Sequence, residues 1–292
     1  MVPISLDTVV VRLREYHDFG FLKQLGEVFC VFDEQDSGNI GFGVDTGNEK
    51  LFVKYAGAKT IDYSGNPGDA VERLRKAMPA YHALRHPALV ELREHFEVNE
   101  GYAAIFTWFP GECMHAHWAF TPQEKYHHPD SPSYRYKHLP LELRLDSLDT
   151  IYAFHEHVVR SGYVAIDFYD GSILYDFSQH RTKICDIDFY NKLPNTNTIG
   201  RMWGSKRFMS PEEYECGAVI DEVTNVFTMG ATAFCALGGE ADRSFEKWDA
   251  SEAFYEVASK AVNPDRDQRY SSISAFRQAW NSVRASAKPA GT

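Results

Sequence analysis

Three short strings carry residue types suited to phosphate and metal chemistry. Phe52-Val53-Lys54 puts a lysine inside the strand-like run from Lys50 to Tyr55. Ala165-Ile166-Asp167-Phe168-Tyr169-Asp170-Gly171-Ser172 gathers two carboxylates and a hydroxyl. Lys183-Ile184-Cys185-Asp186-Ile187-Asp188 adds two more carboxylates, the first just after an apolar pair. A lysine ammonium is a compact point charge that suits phosphate oxygens. Carboxylates and hydroxyls are the hard oxygens that magnesium prefers. Taken singly, none of these strings is decisive. A lone lysine on a strand is usually solvated, and Asp-x-Asp is often a turn.

Three further strings follow in order: Met209-Ser210-Pro211-Glu212, Asn225-Val226-Phe227-Thr228-Met229-Gly230, and the segment from Asp265 to Arg269. In this order the six resemble the motifs of the protein-kinase-like superfamily, in particular bacterial eukaryotic-type serine/threonine protein kinases with a divergent catalytic loop. The lysine strand resembles Val-Ala-Ile-Lys, the Asp167 string resembles His-Arg-Asp and its downstream Asn, and the Asp186 string resembles the approach to Asp-Phe-Gly. The later strings resemble Ala-Pro-Glu, Asp-Val-Trp-Ser-Leu-Gly and the late Asp-x-x-x-Arg.

The resemblance implies an α+β protein of the bilobal kinase fold. It implies an antiparallel β-rich N-lobe over 1–107, a mainly helical C-lobe over 108–284 and a tail over 285–292. It implies an ATP- and Mg²⁺-dependent phosphotransferase acting on a protein hydroxyl, with ATP and a protein substrate as partners. Lys54 would hold the α- and β-phosphates, and Asp167 would accept or orient the attacking hydroxyl proton. Asp186 would bind magnesium, helped by Ser172 and Asp188, with Asp170 as a further compensating carboxylate. Ser205, in Gly204-Ser205, would hydrogen-bond Asp167. Glu72, 18 residues after Lys54, would be the helix glutamate paired with it. Ser37, Gly38 and Asn39 would lie at the phosphates, Trp108 or Phe109 beside the adenine, Phe106 also at the nucleotide, and Glu112 at the ribose. Glu212 and Arg269 would form a buried structural ion pair. A small-molecule kinase of the aminoglycoside or choline type and a nucleotide-binding pseudokinase are the alternatives.

The chain departs from the family pattern at three places. The glycine fingerprint is absent around Asp36-Ser37-Gly38-Asn39, where Asp36 would repel a nucleotide. Ala165-Ile166 stands where His-Arg is usual, so no pocket cation reads a phosphorylated activation segment. Ser172 replaces the metal-binding Asn, and Tyr169 stands where a lysine is usual.

The elements that must position these residues follow from local patterns. Phe29 to Phe32, Ile40 to Val44 and Lys50 to Tyr55 read as an antiparallel meander joined by the turn clusters 36–39 and 45–48. A helical period runs from about Asp69 to Leu84, with Pro79 expected to break or kink it. A second runs from Leu141 to Arg160. Met114 to His138 is rich in His, Tyr, Pro and Ser and reads as an exposed loop or acceptor-side lip. The zinc reading of His115, His117, His127, His128, His138 and nearby Cys113 is set aside, because no known zinc spacing fits them.

The chain has 292 residues, with 30 Lys and Arg against 41 Asp and Glu, a net charge of −11. That charge argues against a nucleic-acid partner. Five widely spaced cysteines without a CxxC pair suggest a reducing, cytoplasmic setting. No signal-peptide pattern or membrane span is expected, and the sequence assigns no oligomeric state.

Overall fold

A computed structural model describes residues 1–99 and 101–287. The protein is α+β, with antiparallel sheets in its N-terminal region and helices in its C-terminal region. It divides into two compact units: Met1–Arg85 with Val90–Pro110, and His86–Leu89 with Gly111–Thr292. The division falls at Pro110/Gly111 rather than 107/108, and His86–Leu89 belongs with the second unit. The reason is local: Leu89 bridges Ile184, and Ile184 N–H donates to Ala88 O at 2.7 Å.

The first unit begins with the hairpin β1 (Val2–Leu6) and β2 (Val9–Leu13). A five-stranded sheet follows, made of β3 (Glu27–Phe32), β4 (Asn39–Asp45), β5 (Lys50–Ala56), β6 (Leu92–Val98) and β7 (Gly101–Thr107). Its order is β3-β4-β5-β7-β6, and every neighbour is antiparallel. Side chains alternate across a strand, so Leu51, Val53 and Tyr55 share a core with Ile40, Phe42, Val44 and Ile105. Phe52 and Lys54 face the other way.

Helix α1 (Pro67–Ala83) starts where Asn66 accepts from Gly68 N–H, with Pro67 at the first helical position. Pro79 does not end it: Leu84 N–H still reaches Ala80 O at 2.8 Å. The buried face continues through Met78, Ala80 and Tyr81, and packing outweighs the one lost donor.

The second unit contains β8 (Glu112–Cys113), the short helices α2 (Glu124–His127) and α3 (Pro132–Lys137), and α4 (Leu141–Arg160). Next come β9 (Tyr163–Val164) and the hairpin β10 (Ile173–Asp176) and β11 (Arg181–Ile184), with β8 on its edge. The strands β12 (Asn191–Lys192) and β13 (Asn195–Thr196) pair with β9 and with β14 (Val219–Ile220) respectively. The helices α5 (Glu222–Leu237), α6 (Glu252–Ala261) and α7 (Ile273–Ala287) close the unit.

The helix expected over 141–160 stands as α4, and the apolar run near Val226 lies in α5, buried along most of its length. The tail expected from 285 is helical to Ala287; residues 288–292 lie outside the described residues. Among the described residues no helix is long and apolar enough to cross a membrane. The five cysteines are free thiols.

Candidate active site

In the first unit, Lys54 pairs in register with Gly41 on β4 and Ala104 on β7. These small neighbours leave room beside its stem on the face that also carries Phe52 and Phe106. Phe106 is buried, with its ring 5.0 Å from Tyr81 and 6.4 Å from Phe52. Trp108 meets Phe29 edge-on at 5.0 Å.

The glycines of β4 have a packing role. A Cβ on Gly41 would fall 2.7 Å from the Phe52 ring, and one on Gly43 would fall 2.5 Å from Cys30 Sγ. The 37–39 turn folds onto its own unit. Arg73 donates to Ser37 O, Gly38 has φ +78° beneath the Tyr63 ring, and Asn39 is buried. Asn39 Oδ1 has no hydrogen-bond partner.

Glu72 is a correction. Its carboxylate meets Arg75 at 2.5 Å and Lys76 at 3.2 Å. It lies on the exposed side of α1, because Ala70, Val71 and Leu74 take the inner face. It is therefore not the lysine's partner.

In the second unit, the gap of 19 residues between Asp167 and Asp186 is filled by a loop, the β10–β11 hairpin and the return. Among the described residues, six non-glycine residues have positive φ: Asp7, Asn99, Asp167, His180, Asp186 and Glu240. Asp7, Asn99 and His180 sit in connections between paired strands, where such backbone is ordinary. Glu240 (φ +60°) lies in the tight turn between the bridged Gly239 and Asp242, whereas Asp167 (φ +63°) and Asp186 (φ +55°) have no such turn to explain them. Strain of this kind persists only where surroundings enforce it, and it concentrates at functional sites.

The enforcing contacts are visible at Asp167. The buried Asn225 of α5 accepts from Ala165 N–H at 2.8 Å and donates to Ala165 O at 2.7 Å, clamping the loop two residues before Asp167. Gly204 lies beside it: a Cβ there would stand in ordinary contact, 3.7 Å from Asp167 Oδ1. We expect Asn225→Ala to leave both buried Ala165 groups unpaired, at a cost of about 2–4 kcal/mol. Urea denaturation of the variant checks this.

Ser172 is tied to the segment that carries Asp186, since Cys185 N–H donates to Ser172 O at 2.9 Å. Its side chain is buried, and Oγ has no hydrogen-bond partner. An unpaired buried hydroxyl costs free energy unless something satisfies it. A magnesium ion is such a group, so these oxygens fit the metal implied by the resemblance. Asp188 is also buried.

Asp170 is not a spare metal ligand. Its carboxylate, 2% exposed, takes Lys125 Nζ on one oxygen and Arg207 through both oxygens, at 2.8 and 3.0 Å. Burial pushes the Asp170 carboxyl up, but Lys125 and Arg207 outweigh it and hold it below its ordinary value. Arg207 also reaches Glu240 at 2.6 Å, and Tyr126 OH donates to Glu240 at 2.9 Å. Asp170, Cys235 and Glu240 bring ligand atoms within 4.8 Å of one another, but the two cations already neutralise them.

Two further expectations change. Ser205 Oγ accepts from Arg207 Nε at 3.2 Å, because Asp170 draws that guanidinium across the loop; it does not bond Asp167. The Glu112 carboxylate binds Arg135 at 2.7 and 2.9 Å instead of standing open for a ribose.

Residues 114–138 are not an exposed loop. They carry α2 and α3, bury Lys125 against Asp170, and tie back through Lys137 Nζ to Gly238 O at 2.6 Å. A signal for α2 was present: Thr121 and Glu124 form a reciprocal Thr-x-x-Glu start, with bonds of 2.9 and 3.3 Å. Nothing local marked Lys125 as the partner of a carboxylate 45 residues away. The Glu212–Arg269 pair is buried and two-pronged, at 2.6 and 3.0 Å.

Beneath the loop, His155 is fully buried. One ring nitrogen meets Ile151 O and the other Tyr190 OH, each at 2.8 Å, and Phe168 lies 4.3 Å away, centroid to centroid. Burial pushes its pKa from 6.5 down to about 4, against the opposing pull of the Ile151 bond. Below pH 6.5 the unfolded chain takes up a proton that the folded protein refuses until about pH 4. This contribution is therefore complete above 6.5 and falls across that window, by roughly 3 kcal/mol at most. Denaturant midpoints at pH 7 and pH 5 should differ less in His155→Gln than in the parent.

No family model matches the chain, and no curated protein sequence matches it.

Proposed function

We propose that this protein is an ATP- and Mg²⁺-dependent phosphotransferase of the protein-kinase-like bilobal fold, acting on serine or threonine hydroxyls of a protein. The observation that carries this is the pair Asp167 and Asp186, both held in left-handed backbone in the segments that lead into and out of one hairpin. The unpartnered Ser172 hydroxyl lies in the turn just before that hairpin, whose backbone is bonded to Cys185 next to Asp186.

In this reading Asp186 and Ser172 are the oxygens that would hold magnesium, with Asp188 nearby in sequence. The metal, when bound, neutralises phosphate charge. Lys54 supplies a fixed positive charge to the phosphates, and Asp167 orients the acceptor hydroxyl and takes its proton. Positioning and charge neutralisation supply most of the rate.

The direct test is transfer of label from γ-labelled Mg-ATP to mixed protein acceptors. Label in protein serine or threonine supports the reading. Label only in amino sugars or choline-like alcohols moves it to a small-molecule kinase. One observation favours a nucleotide-binding pseudokinase: the Ser205 hydroxyl is taken by Arg207 rather than Asp167. ATP-induced thermal stabilisation without transfer to any acceptor is the result expected of that class.

A further inference from the structure

Between Asp188 and Glu212 the chain carries Lys192, Arg201, Lys206 and Arg207 and no Asp or Glu, although the whole protein has a net charge of −11. Arg207 is used internally by Asp170 and Glu240. The other three are exposed, and none makes an ion pair among the described residues.

The same stretch exposes large apolar side chains. Ile199 is 58% and Trp203 57% accessible, and Val219, paired with Thr196 from the neighbouring strand, is 54% accessible. They stand on an ordered base. Thr196 pairs with Val219, Asn197 N–H donates to Ala218 O at 2.9 Å, and Met202 N–H donates to Glu213 O at 2.8 Å. The buried Asn197 side chain ties this segment to Gly200 O and Glu212 O, and Trp203 leans on Phe189 at 5.8 Å. Gly204, next to Trp203, is the residue that lies beside Asp167.

We propose that this cationic, apolar platform docks an acidic segment of a partner protein. Glu or Asp of that segment would face Arg201, Lys206 and Lys192, and an apolar side chain would sit against Trp203 and Ile199. The proposal rests on the phosphotransferase reading only for the step after docking, where it names the acceptor as a serine or threonine in an acidic, apolar-flanked sequence. The physical argument is contrast. A protein of −11 repels acidic chains over most of its surface, so a stretch with three exposed, unpaired cations and no acid in its own residues 189–211 selects them there. An ordered base spares a docking segment the cost of organising the surface.

The test uses the full chain and three fluorescent peptides with one central serine and one apolar neighbour, flanked by Glu/Asp, by Lys/Arg or by Gly/Ser. In anisotropy titrations at low salt, the acidic peptide should bind about tenfold tighter than the neutral one, with the gap closing at about 1 M salt. The double variant R201E/K206E should reverse the ranking of acidic and basic peptides. W203A should weaken all three without changing their order. These side chains are exposed, and an unchanged melting temperature verifies folding. Equal binding of the three peptides, or an unaltered ranking in the charge-reversed variant, overturns the proposal. So does an oligonucleotide that competes as well as the acidic peptide. If no peptide is ever phosphorylated, the enzyme reading fails, while the binding ranking still decides whether the platform selects acidic segments.

Discussion

Replacing Asp167 by alanine should cut phosphoryl transfer by about 10²–10⁴-fold while leaving the melting temperature within a few degrees of the parent. The carboxylate is the only group that Asp167 contributes to the proposed chemistry, and its removal adds no bulk beside Gly204. Relief of the left-handed backbone does not follow, because alanine tolerates φ +63° less well than aspartate. A small loss of stability is therefore expected alongside the loss of activity. Asp167→Asn separates the two effects, because it keeps the side-chain shape and a tolerance for this backbone. It should melt like the parent and still transfer label at a small fraction of the parent rate. Equal rates in both variants and the parent would remove Asp167 from the mechanism.

Replacing Asp170 by alanine should be the most destabilising single change near the site, costing about 3–5 kcal/mol. The variant leaves Lys125, 5% exposed, without its carboxylate, and deprives Arg207 of one of its two. For a unit of this size that corresponds to a fall in melting temperature on the order of 10 °C, read by calorimetry. The cost is the penalty of stranding buried charge, not the net contribution of the pair. Combining Asp170→Leu with Lys125→Met and Arg207→Met should therefore recover much of the loss. A triple variant no more stable than Asp170→Ala would show instead that the ion cluster stabilises through its own attraction. Calorimetry on both variants decides this without any assay of activity.

The two results bear on how the segment before Glu212 is held. The chain lacks a cation before Asp167, since Ala165-Ile166 stands there. The structure provides another restraint: Arg207 of that segment is gripped by Asp170 of the loop and by Glu240 beyond α5. Phosphomimetic replacement of Thr196 or Thr198 should leave activity within about twofold of the parent, because Ala165-Ile166 puts no arginine before Asp167 to couple a phosphate there to the catalytic loop. A strong rise in rate would contradict this.

Local patterns in the sequence sufficed for the meander of β3 to β5 and the helix α4. Alternation, helical period and Asp-Ser-Gly-Asn turns act over a few residues, so neighbours in the chain specify them. The Glu212–Arg269 pair was legible from its two strings, although 57 residues separate them. Only tertiary structure decided which of the acidic residues are committed. Glu72 goes to Arg75 and Lys76, Glu112 to Arg135, and Asp170 to Lys125 and Arg207. Lys125 lies in a stretch without helical period, and its partner is set by where α2 lands on the loop. A charge's partner depends on distance and burial after folding, and neither is encoded by residue type or by spacing along the chain.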